Sequence, residues 1–321
     1  MWRPRSLRVR FTLRALLVFI TLFMLWGGYH TNRSWNERVA ERVLLRHRAM
    51  FSYAPRDLPR SAIDHLARTY ERLVGFVWGD RRITSLSVNS RLESDVVAAI
   101  CSLPQLESLD ISGVNPNDPF DLHSKLPSTE HPAAVPRGAL AKILAARTLT
   151  TLSIDRCNLH VSDYLAIASH ESIEVLTVTD TNLSDFDLAI LVRLPRLRQL
   201  TFVGAEVTGE DLASQPGSLS LERINCANSP VGIEFAQYVS NCPHLTHLQV
   251  SHVRIDDAFV AQLRGHSSLS QLLMSNTSIS DTSIDYLIDI PQLEVVYMRP
   301  SRVTAAGIKR LRQTRPGIKT N

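Results

Sequence analysis

The chain has 321 residues, 44% of them hydrophobic and 21% charged, the balance of a folded protein long enough to bury a sizeable core. Its net charge of +4 is unevenly placed: residues up to Arg82 hold 16 Arg and 6 acidic residues, and the remainder holds 19 basic and 25 acidic residues. A body that is acidic outside its N-terminal flank argues against nucleic-acid binding, and four scattered Cys without C-x-x-C spacing argue against a disulfide framework.

The first segment, MWRPRSLRVRFTLR, carries five Arg, and ALLVFITLFMLWGGY extends an apolar run to Tyr29. Counted from Phe11 to Tyr29, this stretch has the length of a membrane span, with Arg14 placed to snorkel at its edge. The Arg cluster predicts a cytoplasmic N-terminus. A cleaved signal peptide is the alternative, although no A-x-A-like site follows the run. Residues 1–33 are therefore expected to form an Arg-rich tail and a signal-anchor in the lipid bilayer through residues 11–29, placing the rest on the extracytoplasmic side. Residues 34–60 read as a juxtamembrane helix, with Val39, Val43 and Arg46 on one face, followed by a linker. Residues 61–82, with Leu66, Tyr70, Leu73 and Val77 at helical spacing, read as an N-terminal cap.

A repeat then dominates the sequence. Leu149, Ile173, Leu197, Leu221, Leu245, Leu269 and Leu293 each open a hexamer of the form L-x-x-L-x-L or a close variant, at a constant interval of 24 residues. Two earlier hexamers, ITSLSV from Ile83 and LESLDI from Leu106, bring the units to nine. The first half of each unit alternates apolar and polar residues, as a strand does; the second half spaces its apolar residues by three, as in Leu188, Leu191 and Leu194. Ser184-Asp185 and Ser280-Asp281 precede their helices as capping residues. One strand and one helix cannot close a core alone, whereas stacked units can.

LTTLSIDRCNL and LSQLLMSNTSISDTSI resemble leucine-rich repeats of the short, cysteine-containing kind. The resemblance covers residues 83–321 and implies an α/β fold: a right-handed solenoid, or horseshoe, with a concave parallel sheet, here combined with an N-terminal transmembrane helix. It implies protein binding and no chemistry. The whole layout is similar to membrane-anchored leucine-rich-repeat proteins of planctomycete bacteria. Departures occur as well. Pro216-Gly217 predicts a loop in place of the fifth helix, and the position where the family often carries Cys or Asn holds Cys157, Thr181, Ala205, Ser229, Val253, Thr277 and Ser301. An insertion at 115–136, with five Pro in 22 residues, predicts an irregular loop at one rim. From Arg299 onward seven basic and no acidic residues make a basic C-terminal cap.

The candidate contact surface is the concave face. Glu174, Arg198 and Glu222 form a charge-alternating ladder at the second position of the hexamer. The fifth position enlarges from Ser153 and Thr177 to Gln249, Leu273 and Tyr297, with Arg299 two residues further on. Aromatic and Arg anchors of this kind suit a protein partner. His244, His247 and His252 are too widely spaced along an extended strand to share one metal ion. The cysteines read as small buried hydrophobes. No phosphate-cradling loop or catalytic motif is present, so no cofactor, metal or small-molecule substrate is expected. The expectation is a non-enzymatic, membrane-anchored interaction module for an unknown protein partner; a purely structural envelope scaffold is the alternative.

Overall fold

A computed structural model of the chain describes residues 36–47, 49–53, 83–89, 92–113 and 133–321. The proposed anchor at 11–29, the cap at 61–82 and most of the insertion at 115–136 lie outside the described residues. Among the described residues, no helix is long and apolar enough to cross a membrane.

Eleven strands form one sheet in the order β1-β2-β3-β5-β7-β8-β9-β10-β11-β12-β13, which is the order of the chain apart from β4 and β6. The strands are β1 (Met50–Tyr53), β2 (Ile83–Val88), β3 (Ser108–Ser112), β5 (Thr151–Asp155), β7 (Val175–Thr179), β8 (Gln199–Val203), β9 (Arg223–Asn225), β10 (His247–Gln249), β11 (Gln271–Leu273), β12 (Val295–Tyr297) and β13 (Lys319–Thr320). All neighbours from β2 onward pair in parallel, and β1 alone runs antiparallel, beside β2. A helix or short 3-10 turn directly follows each of the strands from β2 to β12 apart from β3 and β5, which are followed first by the short strands β4 and β6, and helices of successive units pack on one another. This is the architecture of an α/β solenoid built on a long, mostly parallel sheet.

The register explains why the sequence repeats. Leu152, Leu176, Leu200, Ile224, Leu248, Leu272 and Val296 lie side by side, each paired with a residue 24 positions away. All are at most 2% exposed, so they form one continuous apolar ridge beneath the sheet. Truncating a fully buried Leu to Ala costs ~2–5 kcal/mol, a large share of a domain's net stability. One residue per unit must keep this phase.

Each strand of this sheet from β5 to β11 is followed by a left-handed residue: Arg156, Asp180, Gly204, Asn228, His252 and Asn276, with φ between 48° and 68°. Their N–H groups donate to carbonyls of the next unit, as from Asp180 to Val203 and from His252 to Ser275, both at 2.8 Å. Asn, Asp and Gly tolerate this conformation best. The equivalent place in the last full unit is Pro300, whose ring excludes positive φ.

Units are also stitched by carboxylates. Asp185 accepts bonds from Thr208 N, Thr208 Oγ1 and Gly209 N; Asp257 accepts from Ser280 and Ser283; Asp281 accepts from Thr304 N and Oγ1. Ser184 caps its own helix, Asp185–Leu191, as expected. The neighbouring Asp185 instead reaches forward into the next unit. In the fifth unit the convex side is a 3-10 turn, Glu210–Leu212, followed by a loop, as Pro216-Gly217 requires. A Cβ on Gly217 would lie 1.8 Å from the Asn241 carbonyl oxygen, so only Gly permits that approach.

The N-terminal end departs from expectation. The expected helix covers residues 36–46 and packs on the body of the protein. Ala40 and Leu44 join the hydrophobic core and Val43 packs partly buried against it, while Val39 is 40% exposed and Arg46 is exposed. Of the expected Val39–Val43–Arg46 face, Val43 alone points inward. After this helix, β1 pairs with the first edge of the sheet. Capping of the solenoid therefore begins upstream of the segment expected to supply it. The end of the insertion, β4 (Ala133–Ala134), rejoins the body beside β6 (Cys157–Asn158) through a two-residue parallel bridge. At the other end, Arg315 donates to the carbonyls of Ile288, Ile290, Pro291 and Leu293, tying the C-terminal segment to the preceding unit.

Candidate functional site

The strand pleat sends alternate side chains to opposite faces. In β5, Leu152 and Ile154 are buried, while Thr151, Ser153 and Asp155 lie on the open face. Across β8 to β11 this open face forms a shallow hollow of about 200 Å³. Gln199 and Thr201 line it from β8, Arg223 and Asn225 from β9, His247 and Gln249 from β10, and Gln271 and Leu273 from β11. Among the described residues, the side chains of Gln199, Arg223, Gln249 and Gln271 make no hydrogen bond or ion pair. Their donors and acceptors are uncommitted within the described residues. Burial, with Arg223 beside it, lowers the His247 pKa below the usual imidazole value. The site at neutral pH therefore presents one fixed cation, Arg223, among neutral polar groups.

The expected site residues separate into three groups. Gln249 and Leu273 share the hollow, and Tyr297, paired with Leu273 in register and 43% exposed, flanks it. Glu174, Arg198 and Glu222 sit one residue ahead of β7, β8 and β9, along the entry edge of the sheet. There Arg198 donates Nε and Nη2 to Glu222 Oε1 at 2.9 and 2.6 Å. That hydrogen bond, and the Glu222 charge, raise the Arg198 pKa further. Arg299 lines a separate open hollow of about 330 Å³ with Ala305, Ile308, Lys309 and Arg312. Third-position residues Gln199, Arg223, His247 and Gln271 complete the floor; the sequence alone assigns none of them to the contact surface and raises His247 only as a metal ligand. The same pleat argument that selects position five also selects position three.

The earlier units present a different open face. Asp110 accepts a bond from Ser87 Oγ at 2.9 Å, and Asp155 accepts from Ser112 Oγ and Arg156 Nε at 3.2 and 3.1 Å. Their polar groups are spent within the protein. Of the histidines of HLTHLQVSH, His247 lies on β10 bonded to Thr246, and His252 lies past the strand, in the left-handed turn, where Asn276 Nδ2 donates to its Nδ1 at 3.0 Å. Cys157, Cys226 and Cys242 are buried. Burial raises each thiol pKa, to about 12 for Cys157 and about 11 for Cys242, away from the thiolate that nucleophilic chemistry needs.

No family model matches this sequence, and no curated protein matches it. Among solved structures, human 5T4 (Wnt-activated inhibitory factor 1, trophoblast glycoprotein) aligns with 15% identity and a TM-score of 0.49, over 74% of this chain and 84% of its own. Internalin C2 of Listeria monocytogenes aligns with 15% identity and a TM-score of 0.39, over 71% of this chain and 77% of its own. The fold assignment stands on the strand register and the buried ridge of this chain itself.

Proposed function

We propose that this protein is a non-enzymatic interaction module that binds an extended segment of a protein partner across the open face of β8–β11. The observation that carries this reading is the uncommitted polar floor of Gln199, Arg223, Gln249 and Gln271, flanked by Leu273 and Tyr297. Amide side chains offer both donor and acceptor, and the neighbouring Leu and Tyr supply apolar contact area. In the same reading, residues 11–29 hold the chain in a cell membrane, with the N-terminus cytoplasmic and the repeats presented outside, as in the planctomycete proteins whose layout it resembles. The apolar run and its five flanking Arg support that placement.

The test is affinity capture with the full chain in detergent, beside a variant carrying Arg223→Glu, Gln249→Glu and Tyr297→Asp whose folding has been verified by circular dichroism. A protein retained by the parent and lost by the variant supports the reading. A protein retained equally by both would remove the open face from consideration, and failure of either chain to retain a specific protein would favour the purely structural scaffold.

A further inference from the structure

The N-terminal capping helix ends on His47, whose Nε2 lies 3.2 Å from Asp95 Oδ2 in the first turn of the helix Ser94–Ser102. Glu93 directly precedes that helix. One donor atom each from His47, Glu93 and Asp95 falls within a mutual distance of 4.8 Å. We infer that these three side chains form a site for a late first-row divalent ion, of which Zn2+ is the representative, that staples the capping helix to the first repeat.

The geometry supports an ion in place of the present hydrogen bond. Two donors 3.2 Å apart, each at about 2.1 Å from a shared ion, subtend about 100° at it, close to a tetrahedral or octahedral angle. The Glu93 side chain makes no hydrogen bond or ion pair among the described residues: Glu93 occupies the N-cap position of its helix, yet its carboxylate accepts no capping hydrogen bond. Being exposed, it can turn inward to bring its carboxylate within coordination range. Both other ligands are held. His47 N donates to the carbonyls of Val43 and Leu44, which wraps the helix end and fixes where the ring stands. Asp95 Oδ1 accepts the Val96 N–H at 2.9 Å, leaving Oδ2 directed at His47. An outer-shell bond of this type orients a metal ligand. One imidazole nitrogen and two carboxylates select zinc-like ions over Ca2+ and Mg2+, which prefer oxygen-only sets. Water completes the coordination, and the exposed setting gives modest affinity and rapid exchange.

The consequence is mechanical. Among the described residues, the cap is otherwise tied to the first repeat by the antiparallel β1–β2 pairing and the apolar contacts of Ala40 and Leu44. A ligand that binds only the docked cap stabilises the docked form in proportion to its saturation.

The experiment uses the full chain in detergent, stripped with EDTA and titrated with ZnCl2 or CaCl2. Thermal unfolding is followed, and metal stoichiometry is measured by equilibrium dialysis. The wild type is expected to gain about 4 °C or more in Tm at saturating zinc, with a smaller response to calcium. His47→Gln and Glu93→Gln should each bind one zinc fewer and lose the gain. Asp95→Asn keeps a hydrogen-bond partner for His47, so its metal-free melt should match the wild type while its zinc response disappears. An unshifted wild-type melt, or His47→Gln retaining the full stoichiometry and shift through other histidines, would overturn the assignment. Calcium matching zinc would overturn the ion class.

Discussion

The two halves of the sheet are built on one register yet differ in what they leave available. In β5, β7 and β8 each strand has five residues, and the open-face side chains are short: Ser153, Thr177 and Thr201. In β9 to β12 each strand has three residues, and the equivalent side chains are Asn225, Gln249, Leu273 and Tyr297. The seventh position of the unit follows the lengths in β7 to β11, while Asp155 ends the five-residue β5 without being β-branched. Thr179 and Val203 are β-branched and continue the strand, whereas Ala227, Ser251 and Ser275 do not favour it. The interstrand bonding nevertheless continues through Cys226 N to Gln249 O and Val250 N to Leu273 O. The earlier half is smooth, lined by short side chains, with Asp155 bonded to Ser112 and Arg156; the later half is rough, lined by longer ones such as Gln249, Leu273 and Tyr297. A repeat can keep its buried ridge constant while its open face diverges, because the two sets of side chains never touch.

The largest effect is expected at the seam between the halves. Phe202 is fully buried and meets Phe235 edge-on at 5.7 Å. Phe202→Ala should cost about 3–5 kcal/mol, read as a lower urea midpoint, and should destabilise both halves together if they unfold as one unit. The stitching carboxylates offer a paired comparison. Asp257→Ala leaves the hydroxyl of Ser283, a fully buried residue, without its acceptor and should cost about 2 kcal/mol. Asp185→Ala removes bonds to Thr208 and Gly209 in the earlier half and is expected to cost a similar amount.

Acid should act on both halves through histidines at equivalent positions. Leu149 N donates to His170 Nε2 at 2.9 Å; Leu269 N donates to His266 Nδ1 at 3.2 Å. Burial lowers both pKa values below the ordinary 6.5. Between the depressed folded value and the unfolded value near 6.5, the unfolded chain binds more protons. The stability these groups contribute is thus complete above about pH 6.5 and is lost as pH falls through the folded values. Urea midpoints should decline from pH 7.5 to pH 5, and the double substitution His170→Gln, His266→Gln should flatten that decline. The smallest effect is expected on the rough face itself. Gln249→Glu should leave stability within about 0.5 kcal/mol of the parent in a urea titration, as surface changes do.

The repeat was legible because the ridge residues must recur in phase, and Leu152, Leu176 and Leu200 announce themselves at equal spacing. The capping helix was not legible in the same way. Its inward residues, Ala40 and Leu44 with partly buried Val43, lie among exposed apolar neighbours Val39 and Leu45, and no second copy exists to disambiguate the face. The forward reach of Asp185 was hidden because Ser-Asp before a helix satisfies a local capping pattern equally well. Half of the candidate site, at position five, could be read from alternation. Position three needed only the same rule, while the displacement of Arg198 and Glu222 to the entry edge depended on where each strand begins, which hydrophobic spacing alone does not fix.

The proposed binding surface is the rough half. Two variants of the full chain, matched for stability, would test it against the partner retained by the parent. One carries Ser153→Arg and Thr177→Arg on the smooth half, and the other carries Arg223→Glu and Gln249→Glu on the rough half. Measured by surface plasmon resonance, affinity should fall at least tenfold in the rough-half variant and change less than twofold in the smooth-half variant. The reverse order, or equal losses in both, would contradict the account.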